Sequence, residues 1–102
     1  MKRKNMRTLQ DIKQTLSPVF PRVKQKYKLK EMGIFGSYVK NVQTEQSDVD
    51  ILVDFDVPPS LFEFVDLKNE LTDVLNMNVD VVMKSALKPH IGKRIVQEVV
   101  LL

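Results

Sequence analysis

One segment of the sequence, residues 48–57, alternates between two sets of side chains with a period of two. The first set is apolar and the second is acidic at four of its five positions: Val49, Ile51, Val53, Phe55 and Val57 against Asp48, Asp50, Leu52, Asp54 and Asp56. A period of two places the two sets on opposite faces of a β-strand. The segment therefore predicts a strand with one face on a core and the other lined by carboxylates, ended by Pro58-Pro59.

The remaining segments predict helices and short strands around this strand. Apolar side chains at helical spacing run from about residue 5 to residue 27, where Pro18 and Pro21 interrupt the pattern. We interpret Ser17-Pro18 as the N-cap and first position of a second helix, so two short helices are predicted there. Ser60-Leu61-Phe62-Glu63 matches a capping box that begins a helix. Further helices are predicted at 37–42, 60–75 and 88–99, and further strands at 30–35 and 79–83.

Size and composition limit the kinds of protein that this chain can be. With 102 residues, 43% of them apolar and 28% charged, we expect one small domain spanning 1–102. The absence of cysteine excludes disulfides and thiolate zinc sites. No apolar run approaches the roughly 20 residues that span a bilayer, and none follows the basic start of the chain. We therefore expect a soluble, cytoplasmic protein that does not associate with membranes.

Charge is distributed unevenly along the chain. Residues 1–30 carry ten Lys or Arg against one acid, a net of +9, whereas residues 31–102 carry six against twelve, a net of −6. A basic segment of this kind serves either as a docking surface for a partner or as a solvated helix face. Only two aromatic residues, Phe20 and Tyr27, occur in this segment, which is not the repeated interleaving that a stacking platform requires, so we expect no direct binding of nucleic acid.

Three carboxylates form the candidate catalytic centre. Asp48 and Asp50 are two apart on the predicted strand, so both side chains leave the same face. Carboxylates this close repel each other unless cations lie between them, and Mg²⁺ is the natural partner of such oxygen ligands. Asp80, on the later strand, would lie beside Asp50 if the two strands are neighbours. Three convergent carboxylates can hold two metal ions about 3.5–4 Å apart, which suits an in-line displacement at phosphorus.

Ten residues separate the Gly36-Ser37 pair from Asp48, the first of these carboxylates. A glycine at the end of a strand lets the backbone approach a phosphate closely. The following amides and the Ser37 hydroxyl can donate hydrogen bonds to phosphate oxygens. A Gly-Ser pair alone occurs in many turns, but its combination with Asp48, Asp50 and Asp80 indicates a nucleotide site.

Two segments resemble the signature of the minimal nucleotidyltransferase (MNT) family, within the DNA polymerase β-like nucleotidyltransferase superfamily: Phe35-Gly36-Ser37-Tyr38 and Ser47-Asp48-Val49-Asp50-Ile51-Leu52-Val53-Asp54-Phe55. The resemblance continues through Val79-Asp80-Val81-Val82, Leu87-Lys88-Pro89 and the 95–98 stretch, so it covers the chain from about residue 8 to its end. It implies an α+β fold in which a small mixed β-sheet is backed by helices.

The resemblance also implies roles for individual residues. Asp48 and Asp50 would be metal ligands, and Asp80 the third carboxylate and general base. The expected cofactors are two Mg²⁺ ions, with ATP as nucleotide donor, and the expected nucleotide contacts are Gly36, Ser37, Lys40 and Ser47. Many relatives have Arg-Gly where this chain has Lys40-Asn41. Lysine keeps the positive charge but loses the bidentate fork, and asparagine tolerates left-handed dihedrals better than most residues.

The function that the resemblance implies is the transfer of a nucleoside monophosphate to a hydroxyl group. Proteins similar to this one often pair with a HEPN-domain ribonuclease toxin and act as its antitoxin by transferring AMP to a toxin tyrosine. A chain of this size has no room for an acceptor-binding domain, so we expect a partner protein to bring the acceptor. Two alternatives are an antitoxin that acts by binding alone and an enzyme that modifies a small hydroxylated molecule such as an antibiotic.

Each candidate residue also has a plainer interpretation. Asp48 could cap a turn, and Asp80 could be an ordinary surface acid. Asp54 and Asp56 continue the acidic face, but we expect them to be solvated charges. Tyr38 either contacts nucleotide or packs over the sheet. Three further residues are expected to have structural, surface or interface roles: His90, Phe62 and Phe64.

Overall fold

A computed structural model describes residues 7–102, so predicted helical positions 5 and 6 lie outside the described residues. The helices of this part are α1 (Leu9–Leu16), α2 (Phe20–Tyr27), α3 (Ser37–Lys40), α4 (Leu61–Leu75) and α5 (Pro89–Glu98), and Lys84–Ala86 forms a 3₁₀ turn. The strands are β1 (Leu29–Phe35), β2 (Val49–Phe55), β3 (Val79–Met83) and β4 (Val100–Leu101). They form one mixed sheet in the order β3-β2-β1-β4, in which only β2 and β3 are parallel. The predicted α+β architecture is confirmed.

The apolar face of β2 lies at the centre of the core. Val49, Ile51 and Val53 are completely buried, as the alternation predicts. Leucines spaced four apart on one side of α4 are also completely buried in this cluster: Leu67, Leu71 and Leu75. Leu52, on the opposite face of β2, is buried as well, so the carboxylate face is not open along its whole length. This packing fixes the strand that carries the candidate site.

The predicted start of α4 is confirmed, whereas the predicted start of α2 is wrong. Ser60 caps α4 with the predicted capping box, in which its hydroxyl accepts from the Glu63 amide and the Glu63 carboxylate accepts from the Ser60 amide. The predicted N-cap at Ser17 is wrong: Ser17 has helical dihedrals and ends α1, while α2 begins after Val19. Pro21 occupies the first turn of α2.

Among residues 7–102, no helix combines the length and apolar character that crossing a membrane requires.

A charged cluster ties α2 to α4. The Glu70 carboxylate accepts hydrogen bonds from Arg22 at 3.1 Å, Lys26 at 3.0 Å and the Tyr27 hydroxyl at 2.8 Å. Burial by itself would raise the pKa of Glu70, but the hydrogen bonds from Lys26, Tyr27 and Arg22 outweigh it and hold that pKa below its usual value. Two basic residues of the N-terminal segment are therefore already paired within the fold.

The short strand β4 was not predicted from the sequence. It pairs with the edge of β1, with Ile34 opposite Val100 and Gly33 opposite Leu101. A Cβ atom at Gly33 would lie 2.6 Å from Val99 Cγ2 and 2.9 Å from the Val100 carbonyl oxygen. Position 33 therefore needs glycine because the C-terminal strand approaches the backbone of β1 too closely for a side chain.

We predict that Gly33→Ala lowers the free energy of unfolding by about 1–3 kcal/mol, the usual cost of overpacking. It should also speed hydrogen exchange of the Leu102 amide, which donates to the Met32 carbonyl at 2.9 Å. Chemical denaturation and NMR exchange measure the two effects. Gly92→Ala is the matched control, because its Cβ would come no closer than 3.4 Å to a neighbour and alanine favours the helix. Equal stability of the two variants would contradict this account of β4.

Candidate active site

Strand pairing brings two of the three candidate carboxylates side by side. In the parallel pair of β2 and β3, Asp50 is the register partner of Asp80. Neighbouring strands lie about 4.8 Å apart, and both residues occupy the face opposite the buried valines. Asp48 precedes β2 by one residue and is exposed, as is Asp80, whereas Asp50 is partly buried. The expected proximity of Asp50 and Asp80 is confirmed, and their catalytic roles stay predictions.

Gly36 lies directly against the Asp50 side chain. Phe35, at the end of β1, is the register partner of Asp50, so the next residue passes beside that carboxylate. Gly36 has a φ of +80°, a conformation that strains any residue with a Cβ. A Cβ added there would overlap the Asp50 carboxylate at Oδ2. Both the dihedral angle and the contact therefore require glycine at this turn.

The short helix α3 follows this turn and begins with Ser37. Tyr38 is only 2% exposed, so its packing role is confirmed, and burial is the main cause that raises the pKa of its hydroxyl. Asn41 ends α3 with a φ of 59°. It thus adopts the left-handed conformation that asparagine tolerates better than most residues. Lys40, at the end of α3, is exposed on the same side of the fold as Glu98, with which it pairs.

The loop before β2 borders a polar cleft of about 750 Å³. Ser47, Asp48, Tyr38 and Arg7 are among the residues that line it. The Ser47 hydroxyl accepts a hydrogen bond from the Thr44 amide at 2.9 Å, so it stabilises the loop that carries Asp48. The structure shows this local role for Ser47, and a contact between Ser47 and nucleotide stays a prediction.

The electrostatics of the site centre on Asp50. Burial, followed by the nearby negative charges of Asp80, Asp48 and Glu98, raises the pKa of Asp50 from 3.8 to about 6. Each of these causes disfavours the ionised carboxylate, and a cation among the four acids would reverse that preference. The site is therefore built with an excess of negative charge.

Glu98 is a site residue that the sequence analysis missed. Its Oε2 accepts a hydrogen bond from the Gly36 amide at 3.0 Å, and its Oε1 lies 3.6 Å from Lys40 Nζ. The sequence places Glu98 only within a stretch that resembles the C-terminal helix of the family. The one hint in the sequence is that Glu98 is the sole acidic residue after Asp80. This hint does not place Glu98 beside the Gly36 turn, because the position of the end of α5 depends on the unpredicted strand β4.

The carboxylates are chemically suited to bind a divalent cation, although their oxygens do not converge on a single position. Hard cations such as Mg²⁺ prefer carboxylate oxygens, and Asp48, Asp50 and Asp80 supply them on one face. Within residues 7–102, no three Asp, Glu or His side chains converge closely enough to ligate one ion as placed. Pairing of β2 with β3 holds the backbones of Asp50 and Asp80 side by side.

Other residues considered in the sequence lie away from this group. Asp54 pairs in register with Glu31 on β1, and Asp56 is exposed beyond the end of β2. His90 is exposed in the first turn of α5. Phe64 packs against the core, whereas Phe62 is 81% exposed. The expectation that Asp54 and Asp56 stand outside the carboxylate centre agrees with these positions.

Comparison with known proteins identifies the family. The family model described as "Nucleotidyltransferase domain" matches residues 16–102. The chain belongs to the nucleotidyltransferase domain family. A relative from Thermococcus cleftensis, the protein adenylyltransferase MntA, is 44% identical over 95 residues, which cover 93% of this chain and 96% of MntA. The protein is therefore an enzyme, a nucleotidyltransferase, as the sequence predicts.

Solved structures with the same fold include a minimal nucleotidyltransferase and toxin–antitoxin complexes. One assigned to the minimal nucleotidyltransferases has a TM-score of 0.82 at 24% identity and covers 97% of this chain and all of its own. A toxin–antitoxin complex with AMP-PNP has a TM-score of 0.69 at 22% identity, covering 82% of this chain and 69% of its own. A complex of tri-AMPylated Shewanella oneidensis HEPN toxin with MNT antitoxin has a TM-score of 0.65 at 18% identity, covering 88% and 70%. At these identities the likeness establishes the fold of the nucleotidyltransferase.

The charge excess at Asp50 predicts a stability effect that depends on pH. Because the pKa of Asp50 is raised in the folded state, its ionisation opposes folding above about pH 6, and the penalty disappears as the pH falls towards 4. Asp50→Asn should therefore stabilise the metal-free protein at about pH 7.5, by about 1–2 kcal/mol once solvent screening is allowed for. Chemical denaturation with a chelator present, between about pH 5 and pH 8, measures the difference.

The advantage of Asp50→Asn should shrink as the pH falls from about 7 to about 5. Asp56→Asn is the matched control, because it removes a carboxylate that is exposed beyond the end of the same strand and outside the site. A destabilised Asp50→Asn protein at neutral pH would contradict the repulsion between the site carboxylates.

Proposed function

We propose that this nucleotidyltransferase transfers AMP from ATP to a tyrosine hydroxyl of a HEPN ribonuclease toxin, and so acts as its antitoxin. The observation that carries the proposal is the register pair of Asp50 and Asp80 beside the Gly36 turn. The identity of 44% to a protein adenylyltransferase supports AMP as the transferred group and a protein as the acceptor. The HEPN toxin that is AMPylated in complex with an MNT antitoxin supports the choice of partner.

Magnesium is part of the proposal. Asp48, Asp50 and Asp80 would hold the ions, because they are the carboxylates that share one face at the start of β2 and β3. Bound there, Mg²⁺ would neutralise the charge of the triphosphate and of the reacting oxygens. The raised pKa of Asp50 supports this assignment, since its unfavourable charge is the kind that a cation relieves.

The protein groups would divide the remaining work between binding and proton transfer. The Gly36 turn, the Ser37 hydroxyl and Lys40 would contact the triphosphate and orient its α-phosphorus. Asp80 would accept the proton of the incoming hydroxyl, whose pKa is about 10 for a tyrosine. The hydroxyl oxygen then forms a bond to the α-phosphorus, the bond to the pyrophosphate oxygen breaks, and pyrophosphate leaves. Asp80 is exposed, so an acceptor carried by another protein can reach it.

The test of the catalytic centre uses Mg²⁺, α-labelled ATP and a purified HEPN-domain protein as the candidate acceptor. Wild-type enzyme should label the HEPN protein. Asp48→Asn or Asp50→Asn should abolish labelling, because each removes a ligand and a charge from the metal site. Asp80→Asn should lower kcat by about 10²–10⁴-fold, as loss of a general base does, and leave nucleotide binding partly intact.

Asp54→Asn is the control for these variants, because Asp54 lies on the same strand but outside the carboxylate group. It should transfer AMP at the wild-type rate. Neutralisation of the toxin by Asp50→Asn without any labelling would favour the antitoxin that acts by binding alone. Labelling of a small hydroxylated compound in preference to the HEPN protein would favour the small-molecule alternative. Full activity of Asp48→Asn and Asp50→Asn would contradict the assigned site.

We propose that the basic N-terminal segment docks the partner. The structure indicates which of its lysines are suitable for testing this. Lys26 pairs with Glu70, so its replacement would disturb the fold. Lys24, Lys28 and Lys30 are exposed, and none of them forms an ion pair among the described residues. Replacing these three lysines therefore breaks no ion pair among the described residues, although Lys24 Nζ lies 5.9 Å from the centre of the Phe20 ring and the folding of the variant has to be checked by circular dichroism.

Replacing Lys24, Lys28 and Lys30 together by glutamate should slow association with the HEPN protein by about tenfold or more at low ionic strength. The effect should fade at high salt, since exposed charges act over a Debye length of about 10 Å at 0.1 M. Surface plasmon resonance at several salt concentrations measures the association rate. A triple glutamate variant at the exposed positions Lys68, Lys88 and Lys93 carries the same charge change as a control. Equal association rates for the two variants would assign the basic segment to a solvated helix face.

A further inference from the structure

Glu98 links both ends of α3 to the C-terminal helix. At the start of α3, the Glu98 Oε2 atom accepts a hydrogen bond from the Gly36 amide at 3.0 Å. At the end of α3, its Oε1 atom lies 3.6 Å from Lys40 Nζ. The side chain is 23% exposed, so it belongs to the wall of the site and not to the free surface. One carboxylate thus contacts two groups that the proposed function assigns to the triphosphate.

The Gly36 peptide needs such a partner. Its carbonyl accepts from the Val39 and Lys40 amides at 3.1 Å each, so the carbonyl is satisfied by the helix that it begins. Its amide stands outside the helix and has no backbone acceptor among the described residues. The dihedral angles of Gly36, φ 80° and ψ −146°, belong to a region that is open essentially to glycine alone. A hydrogen bond from outside the turn therefore selects this conformation from the many that glycine can adopt.

Stability alone does not explain the charge of Glu98. A neutral amide oxygen would also accept the Gly36 hydrogen bond, more weakly than a carboxylate but without an added charge. A carboxylate instead adds a fourth negative charge near Asp48, Asp50 and Asp80. What the charge adds is the attraction to Lys40, whose flexible side chain would otherwise sample many directions.

The C-terminal strand holds Glu98 in this position. Glu98 is the last residue of α5, and two residues later Val100 pairs with Ile34 on β1. Gly33 lets this segment approach β1 closely, and the Leu102 amide donates to the Met32 carbonyl. The end of α5 is thereby anchored beside the strand that leads into the Gly36 turn. The contact is therefore built into the sheet and does not depend on a mobile tail.

We propose that Glu98 is a positioning residue of the nucleotide site, whose carboxylate fixes the Gly36 peptide and directs Lys40 towards the triphosphate. The inference rests on the proposed function for the identity of the ligand. Preorganising a loop in its binding conformation strengthens binding because less ordering is left to be done when the ligand arrives. Glu98 acts through Gly36 and Lys40, and its own contact with nucleotide is not part of the proposal.

The experiment compares Glu98→Ala, Glu98→Gln and the control Gln97→Ala, an exposed neighbour on the same helix. NMR hydrogen exchange of the Gly36 amide is measured on the free protein, and titration calorimetry gives the affinity for Mg²⁺–AMP-PNP. Glu98→Ala should speed exchange of the Gly36 amide and weaken AMP-PNP binding, each by about tenfold. Glu98→Gln should retain the slow exchange, because its amide oxygen still accepts the hydrogen bond, and weaken binding by only about threefold.

Two further readouts separate positioning from a general structural role. In the transfer assay, Glu98→Ala should raise KM for ATP more than it lowers kcat, because a binding conformation is lost while the carboxylates are kept. Lys40→Met should weaken AMP-PNP binding but preserve slow exchange at Gly36, since Glu98 is still present. This variant and Glu98→Gln keep the test informative if Glu98→Ala fails to fold.

Several results would overturn the inference. Unchanged Gly36 exchange and unchanged AMP-PNP affinity in folded Glu98→Ala protein would show that Glu98 positions nothing. Tighter AMP-PNP binding by Glu98→Ala would contradict the proposal, because it would make Glu98 a competitor of the triphosphate. The exchange measurement needs no nucleotide, so it tests the role of Glu98 separately from the proposed nucleotide-binding function. A wild-type protein that bound no nucleotide would refute the proposed function, whereas fast wild-type exchange at Gly36 would refute the role of Glu98.

Discussion

The contact between the Asp50 carboxylate and the α-carbon of Gly36 is the constraint around which the site is arranged. It exists because β1 and β2 pair with Phe35 opposite Asp50, so the chain leaving β1 must turn directly beside a charged side chain. Only glycine allows that passage, both in space and in dihedral angle. The turn, the helix α3 and the carboxylates thus form one unit whose geometry is set by strand register.

This unit carries an electrostatic cost that the core offsets. Like charges around Asp50 disfavour its ionised form, yet β2 and β3 stay paired because their other face is buried. Val49 and Ile51 pack under the site opposite Val79 and Val81 of β3, so apolar burial stabilises what the carboxylates oppose. Such an arrangement is typical of sites that gain their full stability only when a ligand of opposite charge binds.

Local signals in the sequence predicted much of this structure. The alternation over 48–57 predicts β2 and its two faces, and the Ser60–Glu63 capping box predicts the start of α4, because both depend on neighbouring residues alone. The N-cap prediction at Ser17 was wrong because either Pro18 or Pro21 could occupy the first turn of α2, and local sequence rules do not distinguish between them. The strand β4 has two residues and no periodicity, so only its long-range pairing with β1 defines it. Glu98 depends on that pairing, which is why its place in the site could not be read from the sequence.

The central claim is that the carboxylate centre transfers a nucleotidyl group to another protein, and product analysis tests it most directly. The HEPN protein is incubated with this enzyme, Mg²⁺ and ATP, and its mass is determined together with the small-molecule product. The expected result is a HEPN protein that gains the mass of one or more AMP groups on tyrosine, with one pyrophosphate released for each group added. A HEPN protein that instead gained a bare phosphoryl group, with ADP as the product, would show a kinase reaction and contradict the account.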